Sequence, residues 1–138
     1  MDNKIVLYVE DEESDALLMQ IAFRLEGLQA GYRTVSNGQA ALDYLAGHGE
    51  FAKRDRYPLP HVVLLDLNLP EVHGFEVLKW IRAQPAFKTL PVVVFSSSMR
   101  AEDQAKARQL EANDFVPKPN SQAVLRKLVR DLKMKWLS

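Results

Sequence analysis

His61-Val62-Val63-Leu64-Leu65-Asp66-Leu67-Asn68-Leu69-Pro70-Glu71-Val72-His73-Gly74 is the stretch whose reading decides the fold. The apolar run Val62 to Leu65 predicts a strand buried on both faces, and Pro70 and Gly74 mark the turn that follows it. Asp66 is thereby set at the carboxyl end of a central strand. Open parallel α/β sheets bind their ligands just outside such ends, which makes Asp66 a candidate site residue. Alone, an Asp here could equally start a turn or cap the next helix, so the other strand ends must decide.

Upstream, Ile5 to Val9 is a second nearly all-apolar strand, running into the acidic sequence Glu10-Asp11-Glu12-Glu13. A helix is predicted from about Ser14, with Leu17, Leu18, Ile21 and Leu25 on its apolar face and Gly27 as its stop. Gln29 to Val35 alternates in polarity as an edge strand would, and Ser36-Asn37-Gly38 turns the chain into a short helix, Gln39 to Ala46. The polar segment from Gly47 to Pro60 reads as a loop longer than is usual between such elements.

Downstream, Phe75, Val77, Leu78 and Ile81 form a helical stripe that ends before Pro85. Pro91 to Phe95 is a third fully apolar strand, ending in Ser96-Ser97-Ser98. Ala101 to Ala112 has helix-forming residues with a weak, mostly alanine face, so this helix is expected to be loosely held. Asp114-Phe115-Val116 is a short last strand, and Ser121 caps a closing helix with Val124, Leu125, Leu128, Val129 and Leu132 on its face. Strands alternating with helices imply a doubly wound five-stranded parallel sheet with helices on both faces. The apolar strands belong in the middle, giving the order 2-1-3-4-5.

Composition narrows the function. The 138 residues suffice for one domain with a real core, and the 47% hydrophobic and 26% charged residues are ordinary for a folded globular chain. Lys plus Arg equals Asp plus Glu at 18 each, so bulk charge draws the chain to neither nucleic acid nor an anionic membrane. No apolar run is long enough to span a bilayer, and Met1-Asp2-Asn3-Lys4 does not open a signal-peptide layout. The absence of cysteine excludes a disulfide scaffold, a thiolate metal site and a cysteine nucleophile, and makes a reducing cytosol the expected location.

Four strand ends converge on one crevice, bringing Glu10 and Asp11, Asp66, Ser96 and Lys118. Each singly has an ordinary explanation: acids at a helix start, a turn serine, a surface Lys-Pro. Together they fit a chemistry. Crowded carboxylates repel unless a cation sits among them, and an all-oxygen set suits Mg²⁺, which favours a phosphoryl oxygen as a further ligand. Lys118 can neutralise another phosphoryl oxygen, and the Ser96 hydroxyl can donate to a third. The set describes a carboxylate nucleophile that accepts a phosphoryl group. His48, His61 and His73 lack metal-ligand spacing.

On these residues nearly the whole chain resembles a response-regulator receiver domain of two-component signalling, with the flavodoxin-like fold. The resemblance implies that Asp66 is the phosphoacceptor and that Glu10, Asp11, Asp66 and the main-chain carbonyl of Asn68 hold Mg²⁺. It further implies that Ser96 and Ser97 belong to the phosphate-binding switch, with Phe115 as switch aromatic and Lys118 as the phosphate lysine, joined to Pro119 by a cis bond. Three positions depart from the usual pattern. Glu10 replaces an aspartate and reaches farther, Ser96 stands where threonine is as common, and Phe115 lacks the hydroxyl of a tyrosine. Leu67-Asn68-Leu69-Pro70, the long loop and the Ser-rich strand end resemble stand-alone regulators paired with bacterial phytochrome kinases.

The expected partners are a sensor histidine kinase, in this subfamily a phytochrome photoreceptor, or a phosphotransfer protein. Residues 1–138 read as a single receiver domain with a helix extension at about 133–138 and no output module after it. Output is therefore expected through a phosphorylation-dependent surface of the fourth helix, fifth strand and fifth helix. Met134, Trp136 and Leu137 are candidates for a homodimer contact there, or for packing on their own domain. Two other classes compete. A Mg²⁺-dependent aspartyl-nucleophile phosphatase would need an acid where Asn68 stands, and a pseudo-receiver would bind partners without phosphorylation. A nucleotide or flavin module lacks its glycine-rich loop.

Overall fold

The computed structural model describes residues 4–137; Met1, Asp2, Asn3 and Ser138, the last residue of the expected extension, lie outside the described residues. Five strands, β1 (Val6–Val9), β2 (Tyr32–Val35), β3 (Val62–Leu65), β4 (Val92–Ser96) and β5 (Asp114–Pro117), form one parallel sheet in the order β2-β1-β3-β4-β5. The helices between and after them are α1 (Glu13–Leu25), α2 (Gly38–Ala46), α3 (Gly74–Ala83), α4 (Ala101–Gln109) and α5 (Gln122–Trp136). No helix among the described residues is long and apolar enough to cross a membrane.

Alternate strand residues point to opposite faces, so the apolar runs supply two cores at once. Leu7, Val9, Val63, Leu65, Val92 and Val94 pack against α2 and α3, with Ala107 the one buried residue of α4. Val6, Tyr8, Val62, Leu64, Val93 and Phe95 pack on the other side against α1 and α5. The edge strands are the least covered, and β5 has no fully buried residue.

Caps place the helix starts. The Asn37 side chain accepts from Ala40 N at 2.7 Å and Ser121 Oγ from Val124 N at 3.2 Å. His73 Nδ1 accepts from Phe75 N at 3.1 Å at the start of α3.

The structure corrects several expectations. The buried face of α1 is Met19, Ala22 and Phe23, while Leu17, Leu18 and Leu25 are exposed. Two apolar stripes compete on this helix, and contact with α5, made where Met19 and Phe23 join Leu125, Val129 and Leu132, selects the second. Val124 of α5 is likewise exposed. Gln29–Gly31 is a 3₁₀ turn that shortens β2, and α4 ends at Gln109. The 47–60 segment is the long connection the sequence predicts, and it packs as a pad on α2. Gly49–Ala52 forms a 3₁₀ turn, Phe51 and Tyr57 pack on Tyr44, and Arg54 donates to the carbonyls of Tyr44 and Leu45 at 2.7 and 2.9 Å. At the chain end, Leu137 is buried in the α1–α5 core, Trp136 packs partly against it, and Met134 is exposed. Of the three residues expected on a dimer surface, Leu137 is therefore withdrawn into its own domain, because the core beside α1 and α5 offers it more apolar cover than solvent does.

Candidate phosphoacceptor site

The carboxyl ends of β1, β3, β4 and β5 meet on one edge of the sheet, as parallel topology requires. Strand β1 continues past Val9 in extended form, with Glu10 N donating to Val35 O at 3.0 Å, and β3 continues likewise, with Asp66 N donating to Val9 O at 3.1 Å. These bonds fix Glu10 and Asp66 side by side. Both are only 2% exposed, Ser96 is fully buried, and Asp11 is partly exposed.

Four of the expected side chains, those of Glu10, Asp11, Asp66 and Lys118, come together. Ligand oxygens of Glu10, Asp11 and Asp66 all lie within 4.8 Å of one another. Lys118 Nζ is 2.6 Å from Glu10 Oε1, 3.2 Å from Asp15 Oδ2 and 3.4 Å from Asp66 Oδ2. Asp66 Oδ1 accepts from Asn68 N at 3.3 Å. One ammonium thus serves three carboxylates, with Asp11 a fourth beside them. Burial first, and then the charge of Asp66, push the Glu10 carboxyl above its usual range although the Lys118 bond opposes them. Burial alone would lower the Lys118 pKa, but the hydrogen bond to Glu10 and the charges of Asp66 and Glu10 hold it above the usual lysine value. The cluster is short of positive charge, and its donors are all oxygen. That chemistry fits a hard divalent cation.

Around the carboxylates, the β3–α3 loop is held close. Gly74 N donates to Leu67 O at 3.0 Å, and a Cβ on Gly74 would collide with the Asp66 carbonyl oxygen and Leu67 Cα. Ser96 Oγ accepts from Ser98 N at 3.0 Å, and Ser98 Oγ donates to Asp103 Oδ2 at 2.6 Å, so the end of β4 is tied to the first turn of α4. Ser97 is exposed, and Phe115 is partly buried against the α2–α4 core.

The bond expected to be cis, Lys118–Pro119, is trans; no cis peptide occurs among the described residues. The trans form is the intrinsically favoured one, and from it Lys118 already reaches three carboxylates.

Two residues of the site escaped the sequence reading. Tyr8 donates its hydroxyl to Glu10 Oε1 at 2.8 Å, and Asp15, in the first turn of α1, holds Lys118. Tyr8 stands two residues before Glu10 on one strand face, a period that could have flagged it. Burial, with the Glu10 charge next to it, raises the Tyr8 pKa well above the usual phenol value, so Tyr8 remains a neutral donor. Nothing local marks Asp15, whose partner lies 103 residues away. The histidines serve structure: His61 Nδ1 accepts from Ile5 N at 3.0 Å, and His48 faces Asp43 at 3.5 Å.

A family model described as the response regulator receiver domain matches residues 6–130. The chain is 38% identical over 136 residues to the probable methanogenesis regulatory protein FilR2 of Methanothrix harundinacea, covering 99% of this chain and 85% of the relative. It is 33% identical over 134 residues to response regulator Rcp1 of Synechocystis, covering 97% and 89%. Among solved structures, the phosphorylated cyanobacterial phytochrome response regulator RcpA superposes with a TM-score of 0.89 at 34% identity, over 99% of this chain and 96% of that one. The Mn(2+)-bound form of response regulator Rcp1 superposes with a TM-score of 0.80 at 33% identity, over 98% and 95%.

Proposed function

The chain belongs to the response regulator receiver domain family, and on that premise we propose that it accepts a phosphoryl group on Asp66 from a phosphohistidine of a sensor histidine kinase or phosphotransfer protein. The observation that carries this reading is the convergence of Glu10, Asp11 and Asp66 within 4.8 Å with Lys118 reaching Asp66 at 3.4 Å. In the step, an Asp66 carboxylate oxygen attacks phosphorus and the P–N bond breaks. The electron pair passes to the imidazole nitrogen, and an acyl phosphate forms on Asp66.

Glu10, Asp11, Asp66 and the Asn68 carbonyl are the residues we assign to Mg²⁺, supported by the all-oxygen donor set and by the Mn(2+)-bound form of Rcp1. When bound there, Mg²⁺ would supply positive charge to the phosphoryl group. Lys118 exchanges part of its contact with Glu10 for the new phosphate, and the Ser96 hydroxyl turns from Ser98 N toward it. Because Ser98 also binds Asp103, that turn pulls on α4, whose single buried residue makes it easy to shift. Phe115, without a hydroxyl, follows by packing alone.

The readout is binding to another protein. Its surface comprises α4, β5 and α5, where Val116, Val124, Leu128 and Trp136 line a shallow groove of about 220 Å³. We place a homodimer contact on the same face, with Met134 and Trp136 at its margin. Similarity to the phytochrome response regulator RcpA favours a kinase of the phytochrome class as donor, and we place the site of action in the cytoplasm. The chain itself acts as a signalling phosphoacceptor in one domain.

The test is Mg²⁺-dependent labelling with acetyl phosphate, read by intact mass, on the wild type and on Asp66→Asn. One phosphoryl group on the wild type and none on the variant is the expected result. Equal labelling of both would move the phosphoacceptor elsewhere, and labelling of neither would favour a pseudo-receiver. Size measurement with and without an acyl-phosphate mimic tests the dimer, and a monomer in both states would remove it.

A further inference from the structure

The Glu10 side chain has one more rotatable bond than the aspartate it replaces, and a cation site needs its ligands held before the ion arrives. Glu10 is held on both oxygens. Oε1 accepts from the Tyr8 hydroxyl at 2.8 Å and from Lys118 Nζ at 2.6 Å, while Oε2 accepts from Glu12 N at 3.3 Å. Of these, only the Tyr8 bond is fully buried and comes from a neutral side chain: the Lys118 ammonium is shared with Asp15 and Asp66, and the Glu12 amide belongs to an exposed loop residue. Tyr8 is itself closely packed. It is fully buried, its ring meets Phe95 edge-on at a centroid distance of 5.9 Å, and it sits mid-sheet between β2 and β3.

Resting on the Mg²⁺-dependent reading above, we infer that Tyr8 is a positioning residue for the metal site: its hydroxyl holds Glu10 Oε1 and so fixes the carboxylate in the orientation that groups it with Asp11 and Asp66. The pairing explains how a glutamate serves in this position. An aspartate would be too short to touch the Tyr8 hydroxyl from the same backbone, and its orientation would be set by its own short reach. Here the longer acid comes with a donor two residues earlier on the same strand face, where its far end can be fixed. A tyrosine buried in this apolar core carries a hydroxyl that must find a partner, and Glu10 is that partner.

The experiment measures Mn²⁺ affinity of the full chain by the EPR signal of free Mn²⁺, and Mg²⁺ affinity by competition. Tyr8→Phe keeps the ring and its contact with Phe95, and is expected to weaken both affinities about tenfold, the scale on which one hydrogen bond to a charged group acts. At saturating Mg²⁺ its labelling by acetyl phosphate returns to the wild-type extent. In a Glu10→Asp background the same change is expected to shift affinity less than twofold, because the shorter acid no longer meets the hydroxyl. No variant is needed for the second arm. By NMR the wild-type Tyr8 hydroxyl proton is expected as a slowly exchanging resonance that moves when Mg²⁺ is added.

Unchanged or tighter binding in Tyr8→Phe, an equal loss in the Glu10→Asp background, or a hydroxyl proton exchanging at the bulk rate would overturn the inference while leaving the phosphoacceptor reading intact. A wild-type chain that bound neither ion would overturn both.

Discussion

Lys118 Nζ lies nearer to Glu10 Oε1, at 2.6 Å, than to Asp66 Oδ2, at 3.4 Å. The ammonium rests on the acid of β1 and only reaches toward the acid of β3. It is the positive charge shared by three carboxylates of the site, and it lies between the ends of two strands.

Replacing Lys118 by Met removes that charge and leaves Glu10 and Asp66 buried beside each other. Breaking a buried pair costs about 3–5 kcal/mol, and the partly open side of the site near Asp15 places the expected loss at about 2–4 kcal/mol. Mg²⁺ is expected to raise the melting temperature of Lys118→Met more than that of the wild type, because the cation then meets the acids without a competitor. Thermal melts in EDTA and in Mg²⁺ measure both effects, and a smaller Mg²⁺ gain in the variant would contradict the role assigned to Lys118.

Gly74→Ala puts a methyl against the Asp66 carbonyl and Leu67 Cα, both backbone, so the β3–α3 loop has to move. Overpacking of this kind costs about 1–3 kcal/mol, and labelling of Asp66 is expected to slow with it. Gly27→Ala is the matched control. Gly27 has φ +75 and open space around it, so only backbone strain of about 1 kcal/mol is expected and labelling stays unchanged.

Arg54 closes the carboxyl end of α2 by donating to Tyr44 O and Leu45 O, and its third bond, to Tyr57 O at 3.2 Å, stitches the 47–60 pad to that helix. Arg54→Ala is expected to lower stability by about 1.5–3 kcal/mol, the range for bonds to a charged group. Hydrogen exchange should accelerate at residues 49–60 and leave the β3 amides protected. Uniform acceleration across the chain would show the pad to be part of the main core instead.

Glu26 joins the end of α1 to α5 through Arg126 at 2.8 Å and Arg130 at 3.0 Å. The hydrogen bond from Arg126, chiefly, and the charge of Arg130 hold its carboxyl below the usual 4.5. A carboxyl whose folded pKa is depressed stabilises the fold above its unfolded value, and that contribution is lost as pH falls through the folded one. The stability difference between wild type and Glu26→Gln is therefore expected to be full above about pH 4.5 and to vanish on further acidification. Added salt should shrink it, and urea melts across pH 3 to 7 report it.

Much of this architecture is written in local pattern. The three continuous apolar runs fall on β1, β3 and β4, the central strands, because a strand buried on both faces has no polar positions to spare. Asn37 and Ser121 mark helix starts because a cap is chemistry between neighbours in sequence. Helix α1 shows where pattern stops. Its Leu17-Leu18-Ile21-Leu25 stripe is the more apolar by composition, yet Met19, Ala22 and Phe23 are buried, since α5 and the sheet present their holes to that side.

By itself the sequence determined the strand order, the set of residues at the strand ends and the acid that could act as nucleophile, because hydrophobic periodicity and turn chemistry act over a few residues. Only the tertiary structure decided that Lys118 leans on Glu10 and Asp15 and that Leu137 folds back into the core. Those outcomes depend on distances between groups up to 108 residues apart, and on which of several buried charges a single ammonium can reach. No local propensity carries that information; packing of the sheet does.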